Sequence, residues 1–196
     1  MLKLLQAGAP KSSWIVKDNK KSLLSGCQPV NFPLSKEDEL VMKKIIDWVR
    51  VSQDEKLNSE HELTEAIGIA APQIGANLNM YYILLPILDE KTEKVIVIEH
   101  AMINPKISGR SKQKSALKVG EGCLSVDKKH EGLVPRSYKI HVSGYDYLKK
   151  QNVSLVVRGY EAIVFQHEQD HLEQNLYYHH INKNDPWHKK EDWIII

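Results

Sequence analysis

The segment Gln166-His167-Glu168-Gln169-Asp170-His171-Leu172 constrains this chain more than any other stretch. Histidines at i and i+4 share one face of a helix, so both imidazoles reach a single metal ion if the segment is helical. Glu168 lies about 100° around the axis from His167, where it can face a metal's water without ligating the metal. Upstream, Ala162, Ile163, Val164 and Phe165 are apolar in succession, and the spacing predicts a helix over residues 160–172. So short a pattern also arises by chance on a surface helix, so the segment alone favours neither reading. Asp170 is a candidate acceptor for the second N–H of a ligating histidine, with a solvated helix residue as the alternative.

The rest of the chain predicts what surrounds that helix. Its 196 residues suit one domain, 1–196, with a single core. Twenty-seven basic against 25 acidic residues give a net charge of +2, which offers no strong field for nucleic acid. Ser35 reads as an N-cap, and Val41, Ile45, Ile46, Trp48 and Val49 follow as the apolar face of a first helix. Residues 52–62 read as a surface loop or short helix. Strands are expected at 79–88 and 94–99 around a turn at Asp89-Glu90-Lys91-Thr92, and at 138–142 and 153–157. The run Trp193-Ile194-Ile195-Ile196 reads as a last strand docked on the sheet. The class is α+β, with mostly antiparallel sheets packed around a central metal-binding helix. The N-terminal apolar run is too short for a secretory signal, and Met80–Leu88 is too short to span a membrane.

Two histidines leave a metal site incomplete. Glu173 follows His171 too closely for the spacing of a zincin-type peptidase. Cys123, inside Gly120-Glu121-Gly122-Cys123-Leu124-Ser125-Val126, is a better third ligand, because flanking glycines leave room for a close approach. A lone cysteine is more often a small buried hydrophobe, a reading that suits Cys27. In Gly68-Ile69-Ala70-Ala71-Pro72-Gln73-Ile74-Gly75, small residues surround one amide side chain; by itself this is a glycine-bounded turn.

In chain order, 68–75 first, then 121–126, then 166–172, the three segments resemble the signature motifs of peptide deformylases, and weaker likeness runs from about residue 30 to about residue 186. It includes Leu133-Val134-Pro135-Arg136 and His180-Ile181-Asn182-Lys183. The hairpin near 86–95 and the apolar C-terminal strand are similar to the type II branch of Gram-positive bacteria and their wall-less relatives. Ala66 and Gln174 stand where the family usually has glycine. Ala66 is expected to tighten the substrate's approach to the strand, and Gln174 to change only how the helix ends.

The resemblance implies a hydrolase that removes the formyl group from N-formylmethionyl nascent peptides. Cys123, His167 and His171 would hold one divalent metal, Fe(2+) expected with Zn(2+) or Ni(2+) as substitutes, and leave a position for water. Glu168 would be the base, with Gln73 and the Leu124 N–H as oxyanion donors. Backbone groups near Gly68 and Gly122 would bind the substrate as a strand. Ile67, Val119, Tyr160, Ile163 and Val164 would line the methionine pocket. Arg136 would position the peptide or its loop, with a surface ion pair as the alternative. The expected setting is a cytoplasmic monomer in transient contact with the ribosome and no membrane. Two rivals use the same residues: a zincin-type metallopeptidase, and a structural metal module closed by a fourth ligand. The pair His179-His180 reads as polar side chains facing solvent.

Overall fold

A computed structural model describes residues 3–6, 8–89 and 92–196. Four helices are present among them: α1 (Lys21–Leu24), α2 (Lys36–Gln53), α3 (Glu55–His61) and α4 (Gly159–Leu172). The strands are β1 (Gly68–Ala70), β2 (Met80–Asp89), β3 (Lys94–Arg110), β4 (Lys114–Ala116), β5 (Arg136–Ser137), β6 (Lys139–Asp146), β7 (Gln151–Arg158) and β8 (Ile194–Ile195). An antiparallel sheet has the order β1-β2-β3-β6-β7, and a smaller sheet has the order β5-β4-β8. The α+β reading holds, and α4 packs against strands of both sheets.

The larger sheet is covered on both faces, which explains why β2 is apolar at nearly every position. Successive side chains of a strand point to opposite faces. Met80 and Tyr82 therefore join the cluster built on α2, while Tyr81, Ile83 and Leu85 join the cluster containing Phe165 of α4. Helix α2 starts where the sequence predicts: Ser35 Oγ accepts from the Asp38 N–H at 3.0 Å. Glu37, Asp38 and Glu39 fill its first turn and Arg50 its last, the arrangement that complements the helix dipole. Met42, Ile45, Ile46, Trp48, Val49 and Val51 are buried. At about 1.5–3 kcal/mol per large apolar side chain, that face is what anchors the helix to the sheet.

Three expectations need adjusting. Strand 94–99 continues to Arg110, because Asn104 and Pro105 do not end it: the register with β6 shifts between Ile103 and Lys106. A bulge is where a strand tolerates a residue without an N–H. Ser52 is buried at the end of α2, and the expected surface element is α3 alone. The C-terminal strand pairs parallel with β4 in the small sheet, Ser115 opposite Ile194. Glu90 and Lys91 of the expected hairpin turn lie outside the described residues. Among the described residues no helix is long and apolar enough to cross a membrane.

Candidate active site

The chemistry gathers where α4 passes β1 and the 121–125 segment. One ligand atom each from Cys123, His167 and His171 lie within 4.8 Å of one another, and no other such group forms among the described residues. Cys123 Sγ is 3.4 Å from His171 Nε2. Burial alone would raise the Cys123 thiol, but His171 and His167 outweigh it and hold the thiol well below its usual range. The same pairing lifts His167 well above an ordinary imidazole against the effect of its burial. A thiolate sulfur and two imidazole nitrogens converging this closely make a donor set suited to a divalent transition metal.

Around these three atoms the neighbouring groups are fixed. His167 Nδ1 lies 2.8 Å from Glu121 Oε2, which leaves the ring's Nε2 as its free ligand atom. Arg136 grips Glu121 with two N–H groups, Nε to Oε1 at 2.8 Å and Nη2 to Oε2 at 2.9 Å, and its Nη1 donates to Asp170 Oδ2. His180 Nε2 is 2.8 Å from the same Asp170 oxygen. Glu121 and Asp170, though buried, are each held down at about 2, by Arg136 with His167 for Glu121 and by His180 with Arg136 for Asp170.

Glu168 contrasts with both. It is 3% exposed, and its Oε2 has no hydrogen-bond partner. Burial is the largest influence and raises it to about 7, against the lowering effect of His167 and His171. Its carboxyl lies so close to β1 that a Cβ on Gly68 would stand 2.6 Å from Oε1, so any larger residue there would displace the Glu168 carboxyl. Gln73 sits on the short turn Ala71–Ile74 and is nearly buried. Its Oε1 accepts from the Ala70 N–H at 2.8 Å, which turns Nε2 toward Cys123 Sγ at 3.5 Å and Ser125 Oγ at 3.4 Å.

The sequence profile of the polypeptide deformylase family matches residues 12–187. The chain belongs to the polypeptide deformylase family. It is thus a metal-dependent hydrolase that removes the formyl group from nascent peptides. It is similar to the peptide deformylase of Mycoplasma genitalium, 38% identical over 187 residues, covering 95% of this chain and 93% of that protein. It is also similar to that of Lacticaseibacillus casei, 40% identical over 182 residues, with 93% and 96% covered. Among solved structures, a probable peptide deformylase from a Synechococcus phage has a TM-score of 0.65 and 28% identity, covering 85% of this chain and 98% of that one. The peptide deformylase of Thermus thermophilus has a TM-score of 0.63 and 26% identity, with 87% and 86% covered. The relatives are mollicute and Gram-positive, the branch that the sequence resembles.

A cavity of about 440 Å³ opens beside Cys123 and His167. Of the expected residues, Ile67, Gly68, Gln73, Gly122, Cys123, Leu124, Tyr160, Ile163, Val164, His167 and Glu168 line it. His171 is buried behind, against Cys123. Two expected residues are elsewhere. Val119 is 76% exposed and off the cavity, since the chain turns at Gly120, whose φ is +76°. Arg136 is buried at 3% exposure, off the cavity, where Glu121 and Asp170 bind it; it is not a surface ion pair, and of the peptide and the loop it is the loop, through Glu121, that it touches. Thr64, Glu65, Leu117 and Glu121 also line the cavity and went unassigned in the sequence. For Glu121 a signal existed: it is the acid two residues before Cys123.

The expected partner of a ligating histidine was Asp170, and the structure gives that place to Glu121. Asp170 points to the β5 side of α4, where Arg136 stands. His180 is likewise part of this network, so its ring is bound to Asp170 and not simply turned to solvent. Ala66 lines the cavity, yet its backbone is already engaged: Ser52 Oγ accepts its N–H at 3.1 Å, and Gln53 Nε2 donates to its carbonyl at 2.7 Å. Gln174 does more than end α4. It takes φ +61°, and its amide, turned to the orientation that satisfies both neighbours, donates to Leu24 O and accepts from Gly26 N, both at 3.1 Å.

Proposed function

We propose that Cys123, His167 and His171 hold the metal and that Glu168 is the base of the deformylation reaction. The observation that carries this reading is a buried carboxylate with an unpaired oxygen beside three converging ligand atoms. When bound, the metal supplies Lewis acidity and lowers the pKa of water to about 7. Glu168 accepts the water's proton at its carboxylate and returns it to the departing amine. Burial that raises this carboxyl above an ordinary glutamate suits a group that must both take and give a proton at neutral pH. Gln73 Nε2 and the Leu124 N–H stabilise the negative oxygen that forms on the formyl carbon.

The substrate lies as an extended strand along Gly68 and Gly122, with its methionine side chain among Ile67, Tyr160, Ile163 and Val164. Backbone hydrogen bonding beyond the methionine gives affinity without reading side chains, as a processor of many nascent chains requires. The metal is ferrous iron. A mixed sulfur and nitrogen donor set binds zinc more tightly than iron, so supply rather than affinity selects it, and zinc or nickel substitutes. The enzyme works in the cytoplasm, in transient contact with the ribosome.

The test is formate release from formyl-Met-Ala-Ser and acetyl-Met-Ala-Ser by anaerobically purified protein, with metal content measured on the same sample. Fast release from the formyl peptide, little action on the acetyl peptide and about one iron per chain are expected. Comparable rates on both peptides would show a cavity open to larger acyl groups. Cleavage inside an unformylated peptide would favour a metallopeptidase.

A further inference from the structure

Residues Val16, Lys17 and Asp18 cross between two segments that lie 50 positions apart in the chain and meet at the active site. On one side the Val16 N–H donates to the carbonyl of Gln73 at 2.8 Å. On the other, the Asp18 N–H donates to the carbonyl of Ser125 at 2.8 Å, and Lys17 Nζ donates to the carbonyl of Leu124 at 3.2 Å. Lys17 Nζ also pairs with Asp127 at 2.6 Å, and Asp18 accepts from the Tyr178 hydroxyl at 3.4 Å. Both residues assigned as oxyanion donors are thus gripped by consecutive residues of one short strap.

A donor stabilises a developing charge only if it is already aimed when the charge forms. Hydrogen bonds to the carbonyls of Leu124 and Ser125 fix the two peptide planes that follow Leu124; the second of these carries the Val126 N–H, which donates to the Cys123 carbonyl at 3.0 Å and so holds the plane that contains the Leu124 N–H. The bond to the Gln73 carbonyl fixes the backbone from which the amide projects. We infer that Lys17 is a positioning residue for deformylation: its ammonium locks the strap onto the 124–127 segment and holds the Leu124 N–H in register with the Gln73 amide. This rests on the assignment of Gln73 and Leu124 as oxyanion donors. The two backbone bonds survive any side-chain change, so Lys17 is the one link that substitution can remove selectively. Its side chain is 44% exposed, which makes unfolding on substitution unexpected.

The experiment compares Lys17→Met, Lys17→Arg, Asp127→Asn and Gln73→Ala as metal-loaded full chains on formyl-Met-Ala-Ser. Lys17→Met is expected to lower kcat about tenfold, a fraction of the roughly 10²–10³ that a whole donor supplies. KM should stay within about twofold, because the lost interaction acts in the transition state. Lys17→Arg should restore most of the rate, and Asp127→Asn should show a smaller fall of the same kind. A Lys17→Met enzyme with unchanged kcat overturns the inference, as does a rise in KM alone. A loss that follows metal content or melting temperature, or one that Lys17→Arg does not rescue, overturns it too. If Gln73→Ala is slow while Lys17→Met is fast, the strap fails and the oxyanion assignment stands. If Gln73→Ala is also fast, the assignment itself fails and takes the strap with it.

Discussion

Glu168 and Asp170 stand two positions apart on α4, both buried, and their surroundings drive them in opposite directions. Asp170 faces Arg136 and His180 and is held at about 2, so it stays ionised under any ordinary condition. Glu168 faces the cavity with no cationic hydrogen-bond partner, and burial raises it to about 7. Both are carboxylates on one helix; what differs is the partner. One carboxylate becomes a permanent charge that braces the site, and the other becomes a group able to exchange a proton. Arg136 separates the two, because it neutralises the side of the helix that carries no reaction.

Removing that cation should break the contrast most severely. Arg136→Met leaves Glu121 and Asp170 buried without their shared partner, an expected loss of about 3–5 kcal/mol read by urea unfolding. A melting curve unchanged from the parent would mean that the two carboxylates do not depend on Arg136.

The pH dependence of stability should carry both signs in the metal-free protein. Glu121 and Asp170 are depressed from ordinary values of 4.5 and 3.8, so their contribution is present above those values and lost as pH falls toward about 2. Glu168 is raised from 4.5, so its contribution is fully present below 4.5 and lost as pH rises through about 7. Cys123 and His167 titrate in both proteins, so the Glu168 contribution is read as a difference: relative to Glu168→Gln, the parent's denaturant midpoint should fall from about pH 5 to about pH 8. A parallel fall in both proteins would remove Glu168 as its source.

Smaller effects sharpen the same comparison. His180→Gln weakens one bond to Asp170 at a ring about one-third exposed, so about 1 kcal/mol is expected in unfolding experiments. Cys27→Ser should leave metal content unchanged, because burial raises that thiol to about 11 and no second ligand converges on it among the described residues. Metal loss in that variant would place the third ligand at the wrong cysteine.

Much of this was legible before the fold. Periodicity located α2 and α4, and a cap at Ser35 marked a true helix start. Histidines four apart on a helix, with a glycine-flanked cysteine, identified the three residues whose ligand atoms converge. What the sequence hid depends on long-range packing. Nothing local says that Arg136 is buried, because its partners come from the 121 segment and from α4. Nothing local says that Asp170 turns away from His167 and His171, since a helix position sets a direction but not what waits there. Pro105 concealed the second half of β3, because proline ends most strands and the bulge that tolerates it is a property of the pairing with β6. Val119 sits next to a motif yet faces solvent, a consequence of the turn at Gly120.

The division of labour along α4 is tested most directly by measuring metal content and formate release together in Glu168→Ala and Cys123→Ser. Glu168→Ala should retain about one metal per chain while kcat falls by about 10²–10⁴, the usual contribution of a general acid–base group. Cys123→Ser should lose metal and activity together, because a serine hydroxyl does not ionise as a metal-held thiol does. Near-normal turnover in Glu168→Ala, or metal lost from it as readily as from Cys123→Ser, would contradict the account.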